Sequence, residues 1–294
     1  MEEKTAGGGT SLGRLARPSV VAEILERYGL RLSRSLGQHL LVDGNVLQRL
    51  VEAAGLSGSD TVLEIGPGVG TLTEELCARC GRVVAVETDR RMVAAMADLL
   101  GPRVNLEVVE GDALRVDLAS LFSPREKVKV VSNLPYSIAT PLIIRLLKEL
   151  PQAETMVLTV QRELADRYLA RPGSPAYGSV SVKVQSLCRG KRLATLPPSV
   201  FFPPPRVQSA VLYLERVEPA LPEGEVEPFF QFLDACFSSR RKMLVNALGS
   251  GRYPRLPRRD VEEALRRLEV PVSCRAEELP VERLQELFLL LREG

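Results

Sequence analysis

"LEIGPGVGTLTEEL", residues 63–76, decides how the chain is read. An apolar run leads into it, glycines at every second position interrupt it, and a helical pattern leads out. Glycine has no Cβ, so Gly66, Gly68 and Gly70 let the backbone turn sharply and approach a bound group closely. A helix that starts at such a turn aims its free N–H groups at the ligand. A nicotinamide-binding loop reads G-x-G-x-x-G, whereas this one reads G-x-G-x-G.

On either side of the loop, short apolar strands alternate with helical patterns. "TVLEIG", "RVVAVETD", "VNLEVVEGDA", "KVKVVSN" and "ETMVLTVQ" predict strands. "GTLTEELCARC", "RRMVAAMADLLG", "ATPLIIRLLKEL" and "RELADRYLA" predict helices. That order implies a parallel sheet covered on both faces. Ahead of it come the helical "SVVAEILERYGL", the polar loop "RLSRSLGQHLLVDGN" and the helical "VLQRLVEAAGL". After it, "SVKVQSLCRGKRLATL" and "VQSAVLYLE" predict strands that pair antiparallel. The prolines of "PPSVFFPPPR" between them bar a regular ladder. "EPALPEGEVEP" reads as a linker, and the chain beyond it is helical. The expected organisation is a flexible tail over 1–18, an α/β domain over 19–217 and a small all-helical domain over 224–294.

Composition narrows the function classes. The chain has 294 residues, 45% of them hydrophobic, and no apolar run of about 18 residues that could span a membrane. Its first residues lack a signal peptide's basic start and apolar stretch, so a cytoplasmic protein is expected. Five cysteines make a poor disulfide framework. Cys77 and Cys80 form a C-x-x-C inside a helical pattern with no matching second pair, which favours packing over a metal. A net charge of +2 does not by itself establish nucleic-acid binding. The basic residues are clustered, however: Arg31 with Arg34, Arg189 with Lys191 and Arg192, Arg240 with Arg241 and Lys242, and Arg252, Arg255, Arg258 and Arg259. Clusters on one surface could follow a phosphate backbone, and "SSRRK" supplies Arg240, Arg241 and Lys242 as RNA-binding candidates.

Acids stand where a nucleoside cofactor needs them. Glu87 ends the second strand, where it can accept hydrogen bonds from both hydroxyls of a ribose. Asp112 ends the third, where it can hold an adenine amino group. Both converge with the glycine loop on the carboxyl edge of the sheet, where open α/β sheets bind ligands. This set resembles the S-adenosylmethionine-dependent methyltransferase superfamily, with its Rossmann-like sheet. The spacing alone leaves other nucleoside cofactors open.

The fourth strand delivers Asn133, Leu134, Pro135 and Tyr136 to the same edge. An exocyclic amine on adenine attacks poorly, because its lone pair is delocalised into the ring. Neutral carbonyls that accept its hydrogen bonds hold the nitrogen toward a methyl donor and support the developing positive charge. Asn133 offers a side-chain carbonyl, Leu134 a main-chain carbonyl, Pro135 a stiff turn and Tyr136 a flat face for a base. Phe201 and Phe202 are candidates for a second stacking face, with core packing as the competing reading. The single histidine, His39, is a poor general-base candidate, and this chemistry needs no strong base.

"SLGQHLLVD", "LEIGPGVGTLT", "VVAVETD", "EGDAL", "NLPYSIATPLI", "AYGSVSVKVQ" and "VFFPPPRVQSAVL" stand in the order found in the rRNA adenine N6,N6-dimethyltransferases, which the chain resembles over about 30–215, with "FSSRRKMLVNAL" extending the match. The resemblance leans to the small-subunit branch. It implies dimethylation of two adjacent adenines in the 3′-terminal hairpin loop of 16S rRNA, in the small subunit or its precursor, by a monomer acting in subunit biogenesis. The large-subunit resistance branch and a non-catalytic assembly factor are the alternatives. The resemblance places His39, Leu41, Gly66, Glu87, Asp112 and Asn133 at S-adenosylmethionine, and Asn133–Tyr136 on the catalytic motif. The family usually has asparagine and phenylalanine where this chain has His39 and Leu40.

Overall fold

The computed structural model describes residues 14–33, 37–239, 241–249 and 256–293. In chain order the strands are β1 (Leu40–Leu41), β2 (Thr61–Ile65), β3 (Arg82–Glu87), β4 (Leu106–Glu110), β5 (Val128–Asn133), β6 (Ala153–Gln161), β7 (Cys188–Leu196), β8 (Phe201–Phe202) and β9 (Ser209–Arg216). The helices are α1 (Pro18–Arg27), α2 (Gly44–Ala53), α3 (Thr71–Cys77), α4 (Arg90–Leu100), α5 (Ala139–Glu149), α6 (Arg162–Tyr168), α7 (Ser179–Gln185), α8 (Val226–Cys236), α9 (Leu244–Leu248), α10 (Arg258–Arg267) and α11 (Val281–Glu293).

Among the described residues, seven strands form one sheet in the order β4-β3-β2-β5-β6-β9-β7. Neighbours from β4 through β6 pair parallel. β9 runs antiparallel to both β6 and β7, as the two late strand patterns implied. The chain winds outward from β2 in one direction and from β5 in the other. The carboxyl ends of β2 and β5 therefore flank the crevice where such sheets take ligands.

The two faces bury alternate residues, as the period of a strand requires. Leu63, Ile65, Val84, Val130, Leu158 and Leu212 pack against α5, α6 and α7. Val62, Val83, Val131, Val157 and Val211 pack against α2 and α3. The first apolar cluster continues into Phe229, Phe232 and Phe288 of the C-terminal helices. Tyr177 Oη also donates to the Leu279 carbonyl at 2.9 Å, so these helices share a core with the sheet.

Two segments depart from the sequence reading. Residues 179–185 are helix α7, although "SVKVQ" alternates like a strand. Val182, Val184, Ser181 and Lys183 are all buried, so no face of this segment is left to form a solvated strand surface. The Ser181 hydroxyl donates to the Arg167 carbonyl at 2.6 Å, and Lys183 Nζ to Asp234 Oδ1 of α8 at 2.6 Å. Tertiary packing here overrides the weak strand preference of β-branched residues. The second departure is β1, a two-residue strand inside the expected loop, pairing Leu40 with Phe202 and Leu41 with Phe201.

Cys77 and Cys80 are buried against the α2–α3 face, and burial pushes their thiols up to about 12 and about 11. Glu64 lies on that same side of β2, 2% exposed, and accepts from the Thr73 hydroxyl at 2.7 Å. Burial pushes its carboxyl up from 4.5 to about 8, with the Glu87 charge adding to the rise. The folded chain thus keeps a proton that the unfolded chain releases above pH 4.5, so this group lowers stability progressively as pH rises toward about 8. Glu64→Gln removes that dependence. Denaturant titrations should show the variant gaining about 1–3 kcal/mol on the parent between pH 5 and pH 8. Identical pH profiles would contradict a protonated Glu64.

Candidate active site

The carboxyl ends of β2, β3, β4 and β5 open into a cavity of ≈ 310 Å³. Each strand end contributes to its lining: Gly66 and Gly68, Glu87 and Thr88, Asp112 and Ala113, then Asn133, Leu134 and Pro135. Gln38, His39 and Leu40 close the far side. A second cavity of ≈ 500 Å³ shares Gly37, His39 and Ser137 with the first and adds Tyr136, Gln161 and Pro204–Val207. The "NLPY" turn therefore straddles two adjoining spaces.

Two of the loop's three glycines, Gly66 and Gly68, line the first cavity. Gly68 has φ of +59°, and a Cβ on it would stand 2.6 Å from Leu40 Cδ2. Gly66 lies against Pro135. Gly70 behaves differently. It caps α3 at φ +88°, and a Cβ there would meet Met96 Cγ at 2.8 Å. It is absent from the cavity lining, so its smallness lets α4 pack closely rather than admitting a ligand.

Glu87 is 5% exposed and holds the loop in shape. Its Oε2 accepts from Gly68 N at 3.0 Å, and its Oε1 from Thr88 N at 2.8 Å and Asp89 N at 2.9 Å. Burial raises its pKa, and those three donors oppose the rise. A carboxylate has about four acceptor directions. Three are taken, leaving Oε2 able to accept from one further hydroxyl. Asp112 is less buried, and its Oδ1 accepts from Leu114 N at 2.9 Å.

Asn133 ends β5 beside Thr159 of β6. Its Nδ2 donates to the His39 carbonyl at 2.7 Å. That bond fixes which end of the amide faces which way. Among the described residues Oδ1 is left buried with no hydrogen-bond partner. An orphaned buried acceptor costs about 1–3 kcal/mol, which a ligand's N–H would recover. Next in the turn, the Tyr136 hydroxyl is hydrogen-bonded to Ser209 Oγ. Ser209 is the register partner of Gln161. Burial raises the Tyr136 pKa, against a smaller lowering by Ser209, so the ring presents a neutral face.

Leu41, Phe201 and Phe202 are not among the residues lining the two cavities. Leu41 is 1% exposed within the α2–α3 core, and its neighbour Leu40 lines the cavity instead. Adjacent strand residues point to opposite faces, so β1 can turn only one of the two side chains toward the cavity. Phe201 is 2% exposed in that same core, while Phe202 packs with the α1–α4 cluster. Neither is among the residues lining the second cavity, and the burial of Phe201 matches the competing core-packing reading. The residues that do line it, Gln161 and Pro204–Val207, were signalled only by the proline-rich motif. Among the basic candidates, Arg241 and Lys242 are exposed, while Arg240, Arg34, Arg252 and Arg255 lie outside the described residues. Arg192 is paired with Asp166 at 2.5 Å, and Arg258 with Glu262 at 2.6 Å.

A family model for ribosomal RNA adenine dimethylase matches residues 29–292. The chain belongs to that family. It is therefore an S-adenosylmethionine-dependent rRNA adenine dimethyltransferase. It is similar to the ribosomal RNA small subunit methyltransferase A of Alkaliphilus metalliredigens, 37% identical over 94% of this chain and 97% of the relative. The protein of that name from Ligilactobacillus salivarius is 41% identical over 92% of this chain and 93% of its own. Among solved structures, a dimethyladenosine transferase from Plasmodium falciparum superposes with a TM-score of 0.75 at 28% identity, covering 87% of this chain and 98% of that one. The 23S rRNA methyltransferase ErmE gives 0.64 at 29% identity, covering 86% and 99%.

The cofactor loop supplies a direct test. Gly68→Ala forces a Cβ into Leu40 and a left-handed backbone onto a residue that resists it, a strain of about 1–3 kcal/mol. Calorimetry should show S-adenosylmethionine binding weakened roughly tenfold or more. Unchanged affinity would place the cofactor away from this loop.

Proposed function

We propose that the chain transfers methyl groups to N6 of two adjacent adenines in the 3′-terminal hairpin loop of 16S rRNA, within the small subunit or its precursor, as a step in subunit biogenesis. The single observation that carries the chemistry is the orphaned Oδ1 of Asn133, which lines the first cavity three residues before Tyr136 in the second. The small-subunit substrate is favoured by relatives of that name at 37% and 41% identity, against 29% for the large-subunit enzyme.

S-adenosylmethionine, when bound, supplies an electrophilic methyl group. The first cavity has the donor set to hold it: main chain at Gly66 and Gly68, the open acceptor direction of Glu87, and the Asp112 carboxylate. The second cavity suits the target base. Tyr136 offers its face, and base–aromatic stacking contributes about 1–3 kcal/mol. Asn133 Oδ1, with the Leu134 carbonyl, accepts hydrogen bonds from the amine. These acceptors draw the nitrogen out of conjugation and stabilise the charge it acquires. Guanine would present its O6 to the same acceptors and be repelled. The amine's proton leaves after alkylation, so no strong base is required.

The target adenine must leave its loop to reach this depth, at a cost of a few kcal/mol or less where it is already unstacked. Exposed Arg189, Lys191, Arg241 and Lys242 are assigned to phosphate contacts, with residues 224–294 as a helical RNA-binding domain and the chain acting as a monomer.

Incubating the protein with labelled S-adenosylmethionine and small subunits lacking the modification, followed by nucleoside mass analysis, tests this directly. N6,N6-dimethyladenosine in small-subunit rRNA is expected. Label confined to large-subunit rRNA, or tight subunit binding with no label, would refute the assignment. In the same assay Asn133→Ala should lower turnover at least about 100-fold while leaving cofactor affinity largely intact. Full dimethylation by that variant would remove Asn133 from the chemistry.

A further inference from the structure

His39 lines both cavities. Its Nδ1 is 2.6 Å from the Pro203 carbonyl oxygen. Its own carbonyl accepts from Asn133 Nδ2. Its ring centroid is 5.3 Å from that of Tyr136, with the planes inclined by 36°. A carbonyl oxygen can only accept, so Nδ1 must carry the hydrogen. A protonated ring keeps that donor, so the bond to Pro203 holds in either charge state. Pro203 leads directly into Pro204, Pro205 and Arg206, which form a wall of the second cavity. One residue thus ties that wall through its side chain and the Asn133 amide through its main chain.

We propose that His39 is a positioning residue for the base. Its Nδ1–H holds the segment from Pro203 to Arg206 at the spacing from Tyr136 that brings a flat base's amino edge to Asn133 Oδ1. This rests on the adenine-methylating reading above. The proposal also accounts for the departure from the resembled family. An asparagine amide at this position carries an N–H close to where imidazole carries Nδ1–H, so the two residue types can make the same bond. The ring's basicity is not used, and neither is a contact from the ring to the cofactor.

Two experiments test it. His39 is the only histidine in the chain, so ¹⁵N labelling of histidine in the untagged protein gives a single ring to read by NMR. At pH 8, Nδ1 should appear protonated and Nε2 unprotonated. The reverse tautomer would overturn the assignment. The second experiment compares His39→Asn, His39→Gln and His39→Leu on small ribosomal subunits, with thermal melts to check folding and calorimetry for S-adenosylmethionine. The Leu and Gln variants, which lack a donor at the Nδ1 position, should lose about tenfold in kcat/KM for the RNA, with a smaller change in cofactor affinity than in that ratio. The Asn variant should recover most of that loss. Equal loss in all three variants, or a loss that appears in cofactor affinity instead, would overturn the positioning role. The nitrogen shifts are read without any substrate. An inactive parent protein would therefore sink the functional reading alone, whereas a reversed tautomer would sink the His39 assignment alone.

Discussion

The hydrogen bond from Asn133 Nδ2 to the His39 carbonyl sets what the rest of the site can do. An amide has a donor end and an acceptor end, and this bond occupies the donor end. Oδ1 is then left as a buried neutral acceptor with no partner among the described residues. The bond forms only if two distant pieces of backbone arrive together. β5 brings Asn133 to the switch point beside β2, and the pairing of β1 with β8 holds Leu40 and, just before it, His39 across the crevice. A net gain of about 1 kcal/mol for such a bond is small. Its value lies in orientation, because a flipped amide would present N–H groups to an amine that needs acceptors.

Charge is kept away from the reacting centre by the same architecture. Glu87 spends most of its accepting capacity on the backbone of the glycine loop and its own strand end. Glu64 on β2 is pushed toward the neutral form by burial. Tyr136 stays a phenol against Ser209. On the proposed assignment, what faces the target amine is a pair of carbonyls and an aromatic ring. That suits alkylation of a weakly nucleophilic nitrogen, where dipoles fixed in advance stabilise developing charge better than mobile water does.

Much of this was legible in the sequence because it is local. Runs such as "VVAVE" and "KVKVVSN" bury both faces of a central strand, and the glycine loop, Glu87, Asp112 and Asn133 each follow directly from a strand end. The parts that were not legible depend on long-range packing. β1 and β8 are two-residue strands about 160 positions apart, too short to carry any periodicity. Without that pairing, Leu40 and Leu41 cannot be told apart, nor can Phe201 be assigned to the core. Gly70 resembles its two neighbours in sequence, and only the position of Met96 and Leu100 shows that it serves helix packing. Helix α7 reads as a strand because its valines alternate, and burial on every side removes the meaning of that alternation. His39 could be weighed only as a base or a cofactor contact, because Pro203 is far away in the chain.

The central claim is that Asn133 Oδ1 is an acceptor waiting for an adenine amine. A crystal structure of the protein with S-adenosylhomocysteine and an RNA hairpin carrying the unmodified adenines tests it most directly. The account expects one adenine turned out against Tyr136, its N6 at hydrogen-bonding distance, about 2.7–3.2 Å, from both Asn133 Oδ1 and the Leu134 carbonyl. An adenine bound elsewhere, or an Oδ1 satisfied by a protein group while the base is in place, would contradict it.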